Sequence, residues 1–197
     1  MFDLIYPSGV VVPMFPRPTV DNPGEPVPDT SEILPIIEPD GIVIGRASRA
    51  YCHAGTGLLH PVVHLHLEDH MGRIYLQKRS ASKDLYPGYW DTAVGGHLTY
   101  GETVLEALYR EAAEELGLRA FNPVWLGSYI YENGGDREYV CMFAAVGNFN
   151  IHPDNLEVQE GEWWTVERIE ENLGKSVITP NFEEEFGRIR KTLASLL

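Results

Sequence analysis

A mixed α+β fold is what the order of patterned segments in these 197 residues predicts. Three observations carry it. Segments that alternate with period two, such as PVVHLHLE at 61–68 and RIYLQKR at 73–79, read as strands. Apolar residues at helical spacing, led by Leu105, Leu108, Ala112 and Leu116, mark helices between and after the strands, without a regular strand–helix–strand alternation. Turn residues such as Pro39-Asp40-Gly41 and Asn133-Gly134-Gly135 join neighbouring segments as hairpins.

Taken in order, residues 1–30 hold seven of the fourteen prolines. Proline fixes φ and lacks an N–H, so Pro13, Pro16, Pro18, Pro23, Pro26 and Pro28 predict an extended arm rather than helix or central strand. Phe2, Leu4, Ile5 and Val10 to Val12 leave two readings for it, docked on the domain or a second subunit, or disordered. The domain spans 31–197, its first pattern starting at Ile33. ILPII and GIVIG flank a Pro-Asp-Gly turn and predict a hairpin. In PVVHLHLE, Val63, Leu65 and Leu67 share one face, and Val62, His64 and His66 the other. His64 and His66 have no third ligand at fixed spacing, so a metal-binding H-x-H is not expected. A loop, SASKDLYPGYW, leads into DTAVGG. The spacing predicts a helix over 102–116 closed by Gly117, then strands VWLGSYIYE and REYVCMFAAV. EWWTV reads as a short strand, Thr165 as the cap of a helix through Asn172, and NFEEEFGRIRKTLASLL as a closing helix.

An apolar share of 44% supports a substantial core. With 15 basic and 29 acidic residues the net charge is −14, which repels a nucleic-acid polymer or an anionic membrane. A small anionic substrate then needs a local basic pocket or a metal ion. Cys52 and Cys141 form neither a disulfide framework nor a thiolate cluster, which fits a reducing cytosol and predicts a cytoplasmic protein. MFDLIYPSGVVVPMF lacks a positive leading region and is broken by prolines, so neither signal peptide nor membrane span is expected.

The segment REAAEELG places Glu111, Glu114 and Glu115 at i, i+3 and i+4, on one helix face. Each like-charge pair costs about 0.2–0.5 kcal/mol. Solvent on an exposed face would relieve it, and so would Mg²⁺ or Mn²⁺, which take oxygen ligands and keep waters. The wider spacing decides between the two: Gly96, five residues, Glu102, seven residues, then Arg110-Glu111-Ala112-Ala113-Glu114-Glu115-Leu116-Gly117-Leu118. This resembles the Nudix box, with Ala112 standing where the family has a bulky aliphatic. At residue frequencies of roughly 5–7% each, seven fixed positions match by chance on the order of once in a million.

The resemblance implies a Nudix-type α/β/α sandwich with a mixed β-sheet, hydrolysing a diphosphate bond in a nucleoside diphosphate-linked or related small molecule with Mg²⁺ or Mn²⁺. It implies Glu111, Glu114 and Glu115 as metal ligands together with the Gly96 carbonyl, Glu114 and Glu115 as catalytic carboxylates, and an Arg110–Glu102 ion pair. Glu157, six residues before Trp163, is the candidate for a further catalytic carboxylate, with Glu160 and Glu162 as competitors.

Beyond the box, LLHPVVHLHL and GRIYLQKRSASKDLYPGYWDTAVGGHLTYGE resemble the isopentenyl-diphosphate isomerase branch of the superfamily. That resemblance implies a second metal site from His53, His60, His97, Asp136 and Glu138, and a diphosphate contact from Arg79 and Lys83. Two departures weigh against isomerase chemistry. Gly95 stands where the isomerase has its catalytic cysteine, and Asn181 where it has a tryptophan. Protonating a double bond needs a positioned acid, so the sequence favours a hydrolase. An isomerase-like enzyme and a non-catalytic binding module are the alternatives, and intact Glu111, Glu114 and Glu115 argue against the module. A homodimer is the default expectation for an arm-bearing domain.

Overall fold

Backbone pairing follows the alternation of the sequence. The computed structural model describes residues 4–5, 11–12, 32–81, 85–153 and 158–193. Leu4–Ile5 (β1) pairs antiparallel with Val11–Val12 (β2), and the rest of the proline-rich arm, with the question of its docking, lies outside the described residues. The strands that follow are β3 (Ile33–Ile37), β4 (Val43–Ser48), β5 (Leu59–Glu68), β6 (Ile74–Arg79), β7 (Trp90–Asp91), β8 (Val94–His97), β9 (Val124–Asn133), β10 (Asp136–Val146) and β11 (Val158–Trp164). The main sheet has the order β11-β6-β5-β10-β9, with β7 on β6 and β8 on β5.

The chain divides into two compact units. The first takes in the described residues up to Val63 with Gly96–Leu108 and Gly127–Cys141. Its β3–β4 hairpin turns through Glu38-Pro39-Asp40-Gly41, where the Gly41 N–H donates to the Glu38 carbonyl. Leu34, Ile36, Ala47 and Cys52 form a buried cluster beneath it. A short helix, α1 (Arg49–Cys52), was not legible in the sequence; the Ser48 hydroxyl caps it by accepting from the Tyr51 N–H. The helix carrying the acidic segment, α2 (Val104–Leu116), begins two residues later than the spacing predicts. Thr103 is its cap: the Glu106 N–H donates to the Thr103 hydroxyl, and the Thr103 N–H to the Glu106 carboxylate.

The second unit comprises His64–Gly95, Tyr109–Leu126 and the described residues from Met142 onward. Strand β11 pairs antiparallel with β6 from Trp164 opposite Ile74 to Val158 opposite Arg79. It is longer than EWWTV because a ladder of backbone bonds tolerates its exposed acids. Glu160 lies near Lys78, and Glu162 pairs with Arg168. Gly117, at φ +64, closes α2, its N–H donating to the Ala113 carbonyl while that of Leu118 reaches Ala112. Thr165 caps α3 (Val166–Asn172), as the sequence predicts. Thr179 caps α4 (Pro180–Leu193) through the Phe182 N–H and donates its hydroxyl to Asp91. Trp164, Phe143, Phe182, Leu65, Leu67, Leu76, Ile169 and Ile178 are fully buried. All ten residues of β5 are buried, so neither face of this strand meets solvent.

Candidate active site and metal centre

The acidic face of α2 is organised within the second unit by its own arginine. Arg110 Nη1 donates to Glu111 Oε1 at 2.8 Å and to Glu114 Oε2 at 3.1 Å, so the like-charge pairs share one cation from the same helix. Glu115 is buried, and its Oε2 accepts from the Gln77 amide at 3.1 Å and the Gly95 N–H at 3.3 Å. A carboxylate held by two neutral donors has a fixed orientation, as a ligand for a hard cation requires. Tyr109, Arg110, Ala113, Glu114 and Arg119 line an open hollow of about 570 Å³ beside this face. Gln77 and Arg119 were not singled out from the sequence.

A second constellation lies within the first unit. His53 ends α1 as its C-cap, His60 and His97 project from β5 and β8, and Asp136 opens β10. The His53 and Asp136 segments are held together by backbone contact. The Gly57 N–H donates to the Gly135 carbonyl at 3.0 Å, and a Cβ on Gly135 would lie 3.1 Å from the Gly55 Cα. His53 Nδ1 meets Asp136 Oδ2 at 2.7 Å, and its Nε2 lies 3.0 Å from His97 Nε2. His60 Nδ1 donates to the Leu58 carbonyl at 3.0 Å, which leaves its Nε2 as a bare lone pair. That Nε2 and Asp136 Oδ1 are buried without a hydrogen-bond partner among the described residues, 3.9 Å apart. His97 Nε2 is 3.9 Å from Glu138 Oε1.

These residues fit a metal ion. Ligand atoms of His53, His60 and His97 all lie within 4.8 Å of one another. Two nitrogens each about 2.1 Å from one tetrahedral ion stand roughly 3.4 Å apart; His53 Nε2 and His97 Nε2 lie 3.0 Å apart, within hydrogen-bond reach of each other. One cation would satisfy both buried orphan atoms. Three imidazoles with carboxylates suit Zn²⁺ or Mn²⁺. The Asp136 hydrogen bond raises the His53 pKa against the opposing effect of burial, so a bound cation there would displace a proton. Burial would raise the Asp136 carboxyl, but its bond to His53 holds it below the usual range. Burial lowers His60 and favours its neutral, metal-ligating form.

Other residues expected at the site are placed as follows. Gly96 is half-buried in β8, and the Glu102 carboxylate accepts from the Thr99 N–H at 3.0 Å. The Arg110 bonds seen here go to Glu111 and Glu114. Arg79 makes an ion pair with Asp91 at 2.9 Å and donates Nε–H to the Leu85 carbonyl, so its guanidinium braces the β6–β7 turn. Glu162 is held below the usual carboxylate range by its Arg168 bond, with burial opposing weakly. Lys83 and Glu157 lie outside the described residues. His64 and His66 both meet Glu185, a partner 121 and 119 positions away in sequence that no local spacing reveals.

A mixed sheet with helices defines the class of an α+β fold. The profile of the NUDIX domain matches residues 58–182. The chain is 34% identical over 142 residues to the uncharacterized Nudix hydrolase YfcD of Escherichia coli, covering 71% of this chain and 77% of that one. It is 32% identical over 144 residues to an isopentenyl-diphosphate Delta-isomerase of Mycolicibacterium vanbaalenii, covering 70% and 80%. Among solved structures, DR0079 from Deinococcus radiodurans superposes with a TM-score of 0.70 at 25% identity, covering 80% of this chain and 98% of that one. The chain belongs to the Nudix family and is an enzyme of the Nudix hydrolase class. Among the described residues no helix is long and apolar enough to cross a membrane.

Proposed function

We propose that this enzyme hydrolyses the diphosphate bond of a small molecule, such as a nucleoside diphosphate linked to another group, using Mg²⁺ or Mn²⁺ held by Glu111, Glu114 and Glu115. The motif adds the Gly96 carbonyl to that set. The observation that carries the reading is the buried Glu115 carboxylate, aimed by Gln77 and the Gly95 N–H on the same helix as Glu111 and Glu114. A bound divalent cation supplies Lewis acidity and a lowered pKa for water. The chain's own part is to hold the carboxylates in place, with Arg110 between Glu111 and Glu114, while Arg119 beside Glu114 offers positive charge to an anionic substrate in a protein of net charge −14. In the reaction the water oxygen joins one phosphorus, and the bridging oxygen leaves with the other phosphoryl group. Glu157 remains the proposed additional carboxylate. The free, buried Cys52 and Cys141 support a cytoplasmic setting.

The test is a screen of diphosphate compounds with Mg²⁺ or Mn²⁺, beside Glu114→Gln and Glu115→Gln. Loss of a metal ligand is expected to lower turnover at least about 100-fold, more than loss of an outer-shell partner. Turnover that survives both substitutions overturns the reading. The convergence of His53, His60, His97 and Asp136 favours one second reading, an isomerase-like enzyme with metal at that cluster. Conversion of isopentenyl to dimethylallyl diphosphate would establish it; Gly95 and Asn181 argue against it.

A further inference from the structure

Within the second unit, near Glu115, stands an imidazole that the proposed hydrolysis does not use. His64 belongs to β5, with one tenth of its side chain exposed. Its Nδ1 lies 2.6 Å from Oε1 of Glu185, a fully buried carboxylate of α4 whose Oε2 is 3.1 Å from His66 Nε2. Burial would raise the Glu185 carboxyl, but the charge and hydrogen bonds of His64 and His66 hold it well below the usual range, so the His64 Nδ1–H donates to an ionised group. Fixed at that edge, the ring presents its other edge to Gly95. A Cβ built on Gly95 would stand 3.4 Å from both Cδ2 and Nε2 of His64 and 3.6 Å from the Thr92 methyl, which is ordinary van der Waals contact. The half-buried glycine therefore leaves room for an atom against the Nε2 edge. The place is close to the acidic helix. The Gly95 N is 3.3 Å from Glu115 Oε2, and a Cβ is about 2.5 Å from its own N, so the position lies no more than about 6 Å from that carboxylate.

We propose that His64, oriented by Glu185, is a substrate-contacting residue of the diphosphate site, its Nε2–H donating to a phosphoryl oxygen seated over Gly95. An anion entering a chain of net charge −14 needs local donors and local positive charge. An imidazolium supplies both, and the carboxylate on its far edge stabilises the charge while occupying Nδ1. Nε2 is then the nitrogen left to face the substrate. As packing alone the cluster is a poor choice, because apolar residues of similar volume usually replace a buried ionic cluster at little cost or with a gain. The C-terminal helix α4 thereby contributes to the site through the histidine that it orients. This inference rests on the reading of Glu115 as a metal ligand in a diphosphate hydrolase.

The probe is methylenediphosphonate, a diphosphate analogue whose bridging carbon resists hydrolysis, titrated calorimetrically into the full chain at saturating Mn²⁺. Mn²⁺ binding itself is read from the electron paramagnetic resonance of the free ion, and thermal melting confirms that each variant is folded. His64→Asn keeps a side-chain N–H for Glu185 and removes the Nε2 end of the ring. It is expected to weaken methylenediphosphonate binding at least about tenfold, as loss of a hydrogen bond to a charged group does, with Mn²⁺ affinity unchanged. His64→Gln returns an N–H near the Nε2 position and should recover part of the loss. A folded His64→Asn protein that binds the probe like wild type overturns the inference. So does one that loses Mn²⁺ in parallel, since the histidine would then serve the metal site and not the anion. If His64→Asn does not fold, the wild-type chain decides: with Mg²⁺ bound, the nitrogen resonance of His64 Nε2 is expected to shift on adding the probe, and an unmoved resonance overturns the inference. If Glu115→Gln leaves Mn²⁺ binding intact, the metal reading falls and this inference with it. If Glu115→Gln weakens Mn²⁺ binding while His64→Asn leaves probe binding untouched, the histidine contact alone is refuted.

Discussion

Replacing Gly135 by alanine is expected to separate the two halves of the histidine cluster without touching a ligand. Gly135 has φ +92, where an L side chain is strained by about 1–2 kcal/mol. Its Cβ would also meet the Gly55 backbone, 3.1 Å from Cα and 3.3 Å from the carbonyl oxygen. These are main-chain atoms, so relief requires the Gly55–Gly57 turn to back away, and the Gly57 N–H to Gly135 carbonyl bond weakens with it. A net bond of about 1 kcal/mol added to the strain gives a loss of about 2–3 kcal/mol. For a chain of this size each kcal/mol moves the melting temperature by about 2–4 °C, so calorimetry should show a fall of about 4–12 °C. The turn carries His53, whose bond to Asp136 spans this junction. Zn²⁺ affinity, measured by competition with a chromophoric chelator, should therefore fall together with the melting temperature. An alanine variant with unchanged melting and unchanged Zn²⁺ affinity would refute the claim that this glycine contact assembles the cluster.

Other substitutions test other links. Gly161 lies in β11 opposite Gln77, and a Cβ there would collide with the buried Tyr75 ring and hydroxyl. Gly161→Ala should cost about 1–3 kcal/mol, read as a lower urea midpoint with unchanged m. Thr103→Ala removes the capping box of α2 and should lower the melting temperature by about 2–4 °C, corresponding to about 1 kcal/mol. Glu185 gives a pH signature. Burial alone would raise its carboxyl, but the charge and hydrogen bonds of His64 and His66 outweigh this and hold it well below the usual range. The folded pKa is thus below the unfolded one, so this contribution is present above about pH 4.3 and is lost as the pH falls toward the folded value. Acid unfolding of Glu185→Gln should show a shallower dependence of stability on pH between about 5 and 3, and an unchanged slope would count against the ionised pair.

Period-two alternation and turn chemistry exposed most strands, and helical spacing exposed α2, α3 and α4, because those signals are local. The misses have local causes as well. Four-residue α1 is too short to show a period, and Thr103 shifted the start of α2 because a threonine three residues before a glutamate caps rather than continues a helix. The proposed metal ligands were legible only through motif spacing. His53 and His60 are seven positions apart around a turn, but their convergence with His97 and Asp136 depends on strand pairing and on the Gly55–Gly135 contact.

The acidic segment shows where sequence and structure divide the work. Repulsion among Glu111, Glu114 and Glu115 does not by itself point to a cation, because Arg110 already lies between Glu111 and Glu114. Glu114, with 60% of its side chain exposed, would be tolerable on any solvated helix. Glu115 is different. It is buried, and its Oε2 is held by the Gln77 side chain and the Gly95 main chain. The most hidden of the three acids is thus the one oriented from outside its own helix, by supports 38 and 20 residues away in sequence.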